Sequence, residues 1–321
     1  MFAPKVSIIV PVYNLENYIE KTIRSLQALT YNNFEIVIVD DGSTDSSLSI
    51  IKKMASEDSR IIFVSQSNGG AAKARNTGLS LATGEFITFV DGDDMLSTNA
   101  IGDNIGYFTD KKIDWVAFSI RRTDAEGRYI QTKGIYSDFI ISKYEEISTE
   151  SFVPYFYSHK LSGVACAAIY RKSSTNNISF TEGKFYEDSI FFIDLLCNTR
   201  HAILSAKGEY LYIDREDSSQ KATLDYRHLD SKLYVTNKRL VQYRERFPMH
   251  ESYYRQDESN FYYFLKNENA KGNKDAGSLM KIFKKNMVTP FKRIYKMEFK
   301  CIVYHILGYN RIKKILSYIH R

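Results

Sequence analysis

Cysteine is scarce in this chain of 321 residues, which contains only Cys166, Cys197 and Cys301. Three widely separated thiols, none at metal-ligand spacing, indicate neither a disulfide framework nor a cysteine-bound metal. Thiols without partners are typical of proteins kept in a reducing compartment. The sequence therefore predicts a cytoplasmic protein.

Long apolar runs are also missing. No early stretch approaches the roughly 20 consecutive apolar residues of a membrane-spanning helix, so the sequence predicts neither a signal peptide nor a membrane span. There is no internal repeat and no low-complexity linker. With 44% hydrophobic and 26% charged residues, the chain has enough apolar surface for a large core.

Acidic residues are nearly absent from the C-terminal end. From Lys281 to Arg321 there are 11 Lys and Arg against one acidic residue, Glu298, with apolar residues at roughly helical spacing between the cations. This pattern is typical of a helix lying on anionic lipid, and it predicts a peripheral position on the inner face of the membrane. The alternative is a set of helices packed on the rest of the protein with a solvated basic face. No nucleic-acid-binding module surrounds the cations, so nucleic acid is not an expected partner.

Strand and helix patterns alternate through the first 100 residues. Four apolar runs, at 6–12, 34–39, 60–64 and 86–90, are each separated from the next by a helix-like segment. Such alternation predicts right-handed crossovers and an α/β fold with a doubly wound, mainly parallel, Rossmann-like sheet. Asn14 is a suitable cap for the first helix. Ligands of these sheets bind outside the carboxyl ends of the strands.

Carboxylates follow the run at 86–90. Asp91 and Asp93 flank Gly92, which lets the backbone come close to a ligand, and oxygen ligands placed this way suit Mg²⁺ or Mn²⁺ beside a phosphate. The alternative is an ordinary polar turn. Asp94 is expected to cap the segment that follows. Asp40 and Asp41 end the second strand in the same manner. Several strand ends therefore bring polar side chains to one edge of the predicted sheet.

Four segments carry a family resemblance. They are VSIIVPVYN at 6–14, VDDGSTD at 39–45, NGG at 68–70 with ARNTG at 74–78, and DGDD at 91–94. Together they resemble the family-2 inverting glycosyltransferases of the GT-A fold, of the kind that builds bacterial polysaccharide, capsule and lipopolysaccharide. The resemblance is close from residue 5 to about 100 and looser to about 220. It implies transfer of a sugar from a nucleotide diphosphate donor, usually a UDP-sugar, with a divalent metal on the diphosphate and inversion at the anomeric carbon.

The resemblance also implies residue roles on the donor side. Asp40 would accept a hydrogen bond from uracil, Tyr13 would stack on the base, and Asp93 would ligate the metal, with Asp91 on the metal or the ribose. The alternative for Asp40 is a turn residue at the start of a helix, and for Tyr13 it is a core aromatic. For Asp91 and Asp93 it is an ordinary polar turn. Lys73 and Arg75 would offer positive charge to the pyrophosphate or base, unless they are surface cations. The predicted nucleotide-binding set is Pro11, Tyr13, Asp40, Asp41, Lys73, Arg75, Asp91 and Arg215.

On the acceptor side, Glu187 and Asp188 head an apolar helix-like segment. They resemble the family's Glu-Asp pair, which implies that Asp188 is the catalytic base and that Glu187 orients it or contacts the acceptor. The alternative is that both carboxylates complement the dipole of the helix.

Two other segments match the family only in part. Arg215 belongs to a segment resembling a loop that closes over the donor, where it would contact phosphate, but Ile213 stands where such members often have Arg. Cys166 and Ala168 stand where many relatives have Trp and Lys, which puts the acceptor pocket in question.

The predicted organisation is a catalytic domain at 1–225, with a donor half at 1–110 and an acceptor half at 111–225, followed by a helical, basic extension at 226–321. The acceptor is expected to be a glycan or a lipid-linked saccharide. One alternative is a nucleotide-sugar-binding subunit without its own activity. The other is a haloacid-dehalogenase-like phosphatase, in which an Asp of an Asp-Gly-Asp motif is the nucleophile.

Overall fold

Two units make up the chain, Met1–Thr223 and Leu224–Arg321. The computed structural model describes residues 2–124, 127–130, 138–215 and 225–286. The first unit is built on a sheet of nine strands and the second on helices.

The strands of the first unit are β1 (Val6–Val12), β2 (Phe34–Asp40), β3 (Ile61–Ser65), β4 (Phe86–Phe89), β5 (Met95–Leu96), β6 (Trp115–Thr123), β7 (Glu145–Ser148), β8 (Ala168–Arg171) and β9 (His201–Ile213). Its α-helices are α1 (Ile19–Gln27), α2 (Ser47–Glu57), α3 (Ala71–Leu81), α4 (Gly102–Ile105), α5 (Thr149–Tyr157) and α6 (Glu187–Asn198). Short 3₁₀ helices lie at Gly106–Thr109 and Lys172–Thr175.

The sheet runs in the order β3-β2-β1-β4-β8-β6-β9-β5, and β7 pairs with β9. Strands β1 to β4 are parallel to one another, and β1 and β2 are buried along their whole length. Helices cover both faces of such strands, which explains their continuous apolar sequences. The predicted doubly wound α/β sheet is thus confirmed. Beyond β4 the sheet is mixed, because β8 is antiparallel to both β4 and β6.

The carboxyl ends of the parallel strands are level. Val12 of β1 lies opposite Asp40 of β2, and Asp40 lies opposite Ser65 of β3. On the other side of β1, a Cβ atom on Gly92 would lie 2.9 Å from the carbonyl oxygen of Pro11. Only glycine allows this close approach. The loop after β4 therefore packs directly on the end of β1, at the same edge as Asp40.

Asn14 does not cap the first helix, so that prediction was wrong. Helix α1 begins at Ile19, and Asn14 has a left-handed backbone with φ of 52°. Its side-chain oxygen instead accepts a hydrogen bond from the backbone N–H of Thr44 at 2.8 Å. The residue therefore joins the loops that follow β1 and β2.

A buried carboxylate stabilises the opposite edge of the parallel strands. Glu35 is 2% exposed and accepts hydrogen bonds from the Ser7 hydroxyl at 2.6 Å and from the Thr83 N–H at 2.7 Å. The Lys5 ammonium lies 2.6 Å from its other oxygen. Burial opposes the charged form, but the hydrogen bonds from Lys5, Ser7 and Thr83 outweigh this effect and lower the pKa of Glu35 to about 2.

Glu35→Gln is expected to destabilise the protein by about 2 kcal/mol at pH 7. A depressed folded-state pKa means that the stabilisation is complete above the unfolded pKa of 4.5 and disappears as the pH falls towards 2. Urea unfolding of both proteins between pH 7 and pH 4 should show the difference narrowing below pH 5. The exposed Glu20 on α1, paired with Arg24, provides a control: Glu20→Gln should change stability by less than about 0.5 kcal/mol at every pH. A Glu35→Gln difference that stayed constant with pH would contradict the assignment.

The second unit contains α7 (Tyr226–Arg246), α8 (Glu251–Ala270) and α9 (Lys274–Asn286), with a 3₁₀ turn at Pro248–His250. Arg239 of α7 and Asp257 of α8 form a two-pronged ion pair with distances of 2.7 and 2.8 Å. The apolar core is formed by Leu229, Leu233, Phe261, Tyr262, Leu265, Ala276, Leu279 and Phe283. The predicted helical C-terminal extension is confirmed over residues 226–286.

The predicted lipid-binding segment at 281–321 falls largely on residues 287–321, which lie outside the described residues. Among the helices that are described, none combines the length and the apolar character needed to cross a membrane.

Candidate active site

Arg75 lies at the centre of a cluster of carboxylates at the carboxyl edge of the parallel strands. Its Nη2 donates to Asp91 Oδ1 at 2.6 Å, its Nη1 donates to Glu187 Oε1 at 2.8 Å, and Nη1 lies 3.6 Å from Asp188 Oδ1. The residue is 4% exposed. Burial opposes its charge, but Asp188, Asp91 and Glu187 outweigh that effect and hold the pKa of Arg75 well above its ordinary value. One guanidinium thus joins the loop after β4 to the head of α6.

Helices α3 and α6 are braced so that this junction forms. The Asn76 side chain donates to the carbonyl of Phe180 and accepts from its N–H, both at 2.9 Å. The Phe180 ring stacks on Phe191 of α6 at 4.5 Å and lies under the Arg75 guanidinium at 5.3 Å. Because Asn76 and Arg75 are neighbours on α3, the segment before α6 is held in place from one helix. This places Glu187 within reach of Arg75.

Asp188 has the properties of a general base. Burial raises its pKa to about 7: Arg75 opposes that rise, and the carboxylates of Glu187 and Asp91 add to it. Its Oδ1 is buried, makes no hydrogen bond to another described residue and lies 3.6 Å from Arg75 Nη1. A carboxylate with a pKa near neutrality suits proton abstraction at physiological pH.

The loop after β4 carries the predicted metal ligands. Asp91 is held by Arg75, and Asp93 Oδ2 lies 2.7 Å from Arg215 Nε. Both carboxylates are partly exposed, at 30% and 18% of the side chain. Each is therefore partly open to solvent, with a cationic partner beside it.

A second buried pair fastens this loop to β9. Asp94 accepts hydrogen bonds from the Tyr210 hydroxyl at 2.6 Å and from the Ile213 N–H at 2.9 Å. The Tyr210 hydroxyl also accepts from the Asp91 N–H at 3.1 Å. Burial, with the charges of Asp93 and Asp91, raises the pKa of Asp94 well above its ordinary value. Asp94 is thus an anchor between distant elements, so its prediction as a local cap was wrong, and no signal in the sequence linked it to Tyr210.

A divalent cation can be tested against these residues. Within the described ranges, no three His, Cys, Asp or Glu side chains are grouped so as to hold a metal ion by themselves. Asp91 and Asp93 supply oxygen donors, and Mg²⁺ is commonly bound by one or two carboxylates together with phosphate oxygens and water. The pair therefore fits a cation shared with a diphosphate, and does not fit a site made of protein ligands alone.

The residues predicted to bind the nucleotide base surround the ends of β1 and β2. Asp40 is 1% exposed and accepts from the Ser65 hydroxyl at 2.7 Å and from the Ser43 N–H at 3.2 Å. Pro11 is buried within β1. Tyr13, just beyond the strand, is 49% exposed, so its ring is open to a planar ligand.

Asp41 lies at the same strand end but has a visible structural task. It accepts from the N–H groups of Gly69 and Gly70 at 3.1 and 2.7 Å and from the Gln66 side chain at 2.7 Å. These bonds fix the turn that leads into α3. Contact between Asp41 and a nucleotide remains a prediction.

The two other predicted cations differ in their surroundings. Lys73, two residues before Arg75 on α3, is half-buried and makes no ion pair with another described residue. Arg215 lies beside Asp93, with its guanidinium 5.3 Å from the centre of the Tyr18 ring. Ion pairs thus bring Arg75, Asp91, Glu187 and Asp188 together. A second pair joins Asp93, on the loop after β4, to Arg215, which follows β9.

The segment that departs from the family pattern lies near Asp188 and Asp91. Cys166 and Ala168 line a small apolar pocket together with Trp115, Phe139, Leu161, Tyr170 and Phe192. Burial raises the pKa of the Cys166 thiol well above its ordinary value, and the charges of Asp91 and Asp188 add to this. The thiol is therefore neutral and behaves as a small apolar side chain.

Comparison with known proteins gives one family and several relatives. The family described as "Glycosyl transferase family 2" matches residues 7–179. The glycosyltransferase GlyA of Streptococcus pneumoniae is 47% identical over 97 residues, which cover 30% of this chain and 14% of GlyA. The uncharacterised glycosyltransferase EpsJ of Bacillus subtilis is 31% identical over 227 residues, covering 70% of this chain and 64% of EpsJ. The chain thus spans less than two thirds of either relative.

Among solved structures, TarS residues 1–349 of S. aureus in complex with UDP-GlcNAc superimposes with a TM-score of 0.64 at 23% identity. The match covers 83% of this chain and 73% of that one. The GT-A type of α/β fold is confirmed by this similarity.

Proposed function

This chain belongs to glycosyl transferase family 2, and we propose that it moves a sugar, with inversion, from a UDP-sugar to a hydroxyl group of a glycan or lipid-linked saccharide. The observation that carries the proposal is the placement of Asp188, a carboxylate with a pKa of about 7 that is joined through Arg75 to Asp91. The complex of TarS with UDP-GlcNAc supports a uridine diphosphate donor. Membership of the family leaves no place for the phosphatase alternative.

The donor would lie along the carboxyl edge of β1, β2 and β4. Asp40 would accept from the uracil ring and Tyr13 would cover its face. Lys73 and Arg215 would neutralise the diphosphate. Asp91 and Asp93 would hold Mn²⁺ or Mg²⁺, which supplies Lewis-acid stabilisation of the negative charge on the leaving diphosphate.

Asp188 would act on the acceptor. As the acceptor oxygen forms its bond to the anomeric carbon, Asp188 takes the hydroxyl proton, and the bond from that carbon to the diphosphate oxygen breaks on the opposite side. The products are the inverted glycoside, UDP, and a proton that Asp188 returns to water. Glu187, held by Arg75, would orient Asp188 or contact the acceptor.

The C-terminal segment gives the proposal a location. Residues 281–321, with their basic amphipathic pattern, would hold the enzyme on the cytoplasmic face of an anionic membrane. At that surface the enzyme would encounter the lipid-linked saccharides from which surface polysaccharides are built.

A donor screen tests this function. The protein would be mixed with a panel of UDP-sugars, Mn²⁺ or Mg²⁺ and candidate lipid-linked acceptors, with released UDP measured enzymatically and products identified by mass spectrometry. We expect one donor to be consumed in a metal-dependent reaction. UDP binding in calorimetry without transfer would favour a binding subunit, and the absence of both binding and transfer would refute the proposal.

The pH dependence of kcat/KM provides a separate prediction. The Asp188 pKa of about 7 means that the protonated, inactive form prevails below that pH. We expect kcat/KM to fall about tenfold for each pH unit below 7 and to level off above it, since kcat/KM reports the free enzyme. Initial rates of UDP release between pH 5 and pH 8.5 measure this. A profile that is flat between pH 5 and pH 8 would exclude Asp188 as the base.

A further inference from the structure

The surroundings of Arg75 differ from those expected of a residue that binds the nucleotide. Resemblance implied that its guanidinium would reach the pyrophosphate or the base. In the structure, Nη2 is bound to Asp91 and Nη1 to Glu187, and the residue is almost completely buried. Both terminal nitrogens are thus bound to protein carboxylates, one on the loop after β4 and one at the start of α6.

The cluster around Arg75 is held against electrostatic repulsion. Asp91, Glu187 and Asp188 are three acidic groups gathered about one cation, and without that cation their charges would repel one another. Helix α6 is also entered through Tyr186, whose backbone is left-handed with φ of 63°. A bulky residue in that conformation is strained. Arg75 binds Glu187, the residue that directly follows Tyr186.

Lys73 offers the contrast. It lies two residues earlier on the same helix, keeps partial exposure, and makes no ion pair with another described residue. The two cations of α3 therefore differ: the side chain of Lys73 remains available to a ligand, while that of Arg75 is occupied by the protein.

We propose that Arg75 is a positioning residue, which holds the Glu187–Asp188 pair against Asp91 so that Asp188 meets the acceptor hydroxyl at the donor sugar, and that it does not bind the nucleotide. This inference rests on the proposed function, because it takes Asp188 as the base. Arg75 acts through Glu187 and Asp188, not on the substrate directly.

The test separates binding from turnover. Arg75→Lys keeps the charge but loses the planar fork that reaches both carboxylates. We expect this variant to bind UDP with Mn²⁺ within about threefold of wild type in calorimetry, while UDP release at saturating donor falls by about 10²-fold, since general-base catalysis contributes 10²–10⁴. The comparison variant Lys73→Met, at a residue assigned to the diphosphate, should lower UDP affinity about tenfold.

A double variant excludes a purely structural role. If Arg75 acts through Asp188, then Arg75→Lys combined with Asp188→Asn should be no more than about twofold slower than Asp188→Asn alone, because residues that act as a unit are non-additive. If the double variant instead loses turnover by the product of the two single losses, the two residues act independently and the inference is overturned. Weakened UDP binding in Arg75→Lys, equal to that of Lys73→Met, would overturn it in favour of nucleotide contact.

Two further outcomes are distinguishable. If Arg75→Lys fails to fold, Glu187→Gln can replace it, because it removes one charged partner of Arg75 with little change in shape. This variant should lower turnover without lowering UDP affinity. Unchanged turnover would show that the contact between Arg75 and Glu187 does not position Asp188. A wild-type protein that neither binds UDP nor releases it would remove the proposed function itself, whereas an active wild type with additive Arg75 and Asp188 effects would remove this inference alone.

Discussion

Replacing Asp188 with asparagine is expected to lower saturated turnover by about 10³-fold while UDP affinity stays within about threefold of wild type. Asparagine has nearly the same shape but cannot accept the acceptor proton. The groups assigned to the nucleotide, Asp40, Tyr13 and Lys73, lie on other elements and are left intact. Calorimetry with UDP and Mn²⁺, together with UDP release from the preferred donor, measures the two quantities separately.

The stability of Asp188→Asn distinguishes lost chemistry from lost structure. Since the pKa of Asp188 is raised on folding, its charge destabilises the folded protein above the unfolded pKa of 3.8, so the variant should be at least as resistant to urea at pH 8 as wild type. Asp194→Asn on the same helix is the matched control, and it should keep turnover within about twofold, because Asp194 is assigned to neither the donor, the metal nor the proton transfer. Wild-type turnover in Asp188→Asn would refute the assignment.

Asp93→Asn is expected to weaken UDP binding in the presence of Mn²⁺ by about 100-fold, in the range seen when the support of a metal site is removed. The substitution removes a negative charge from the donor set and leaves Arg215 without its partner carboxylate. Unlike Asp188→Asn, it should impair binding before any chemistry takes place. Titration of UDP at fixed Mn²⁺ measures the change.

The same titration in EDTA is the control for Asp93. Without a divalent cation, the carboxylate can only repel the diphosphate, so Asp93→Asn should bind UDP as well as wild type or slightly better. An equal loss in the presence and absence of metal would show that Asp93 supports the loop and not the cation.

The parallel strands could be predicted because their signal is local. Each is a short apolar run buried on both faces, and the observed bounds of β1, β2 and β3 lie within about one residue of the predicted runs. The sequence also places Asp40, Asp91 and Asp93 at one edge, since parallel strands end on the same side. Local patterns therefore suffice to predict the α/β class and the edge of the sheet at which these three carboxylates lie.

Other features depend on contacts that local patterns do not encode. Nothing near Asp94 marks Tyr210, 116 residues later, as its partner, and nothing near Arg75 marks Glu187, 112 residues later. Asn14 looked like a helix cap because Asn is favoured there, but its partner lies in the loop after β2. The insertion of β8 between β4 and β6 is likewise set by tertiary pairing. Resemblance to a family supplied residue identities, whereas the contacts show which carboxylate each cation holds.

The direct pairing of β4 with β8 places two parts of the candidate site in one continuous sheet. Backbone hydrogen bonds between Phe86–Thr88 of β4 and Ile169–Arg171 of β8 join the strand that leads to Asp91 to the segment that follows Cys166. Separating these two strands would break those hydrogen bonds, and the buried N–H and C=O groups would have no other partners. Under the proposed function, substrates would therefore enter and leave through movements of side chains and connecting loops. A change of donor sugar would then require different side chains along these two segments.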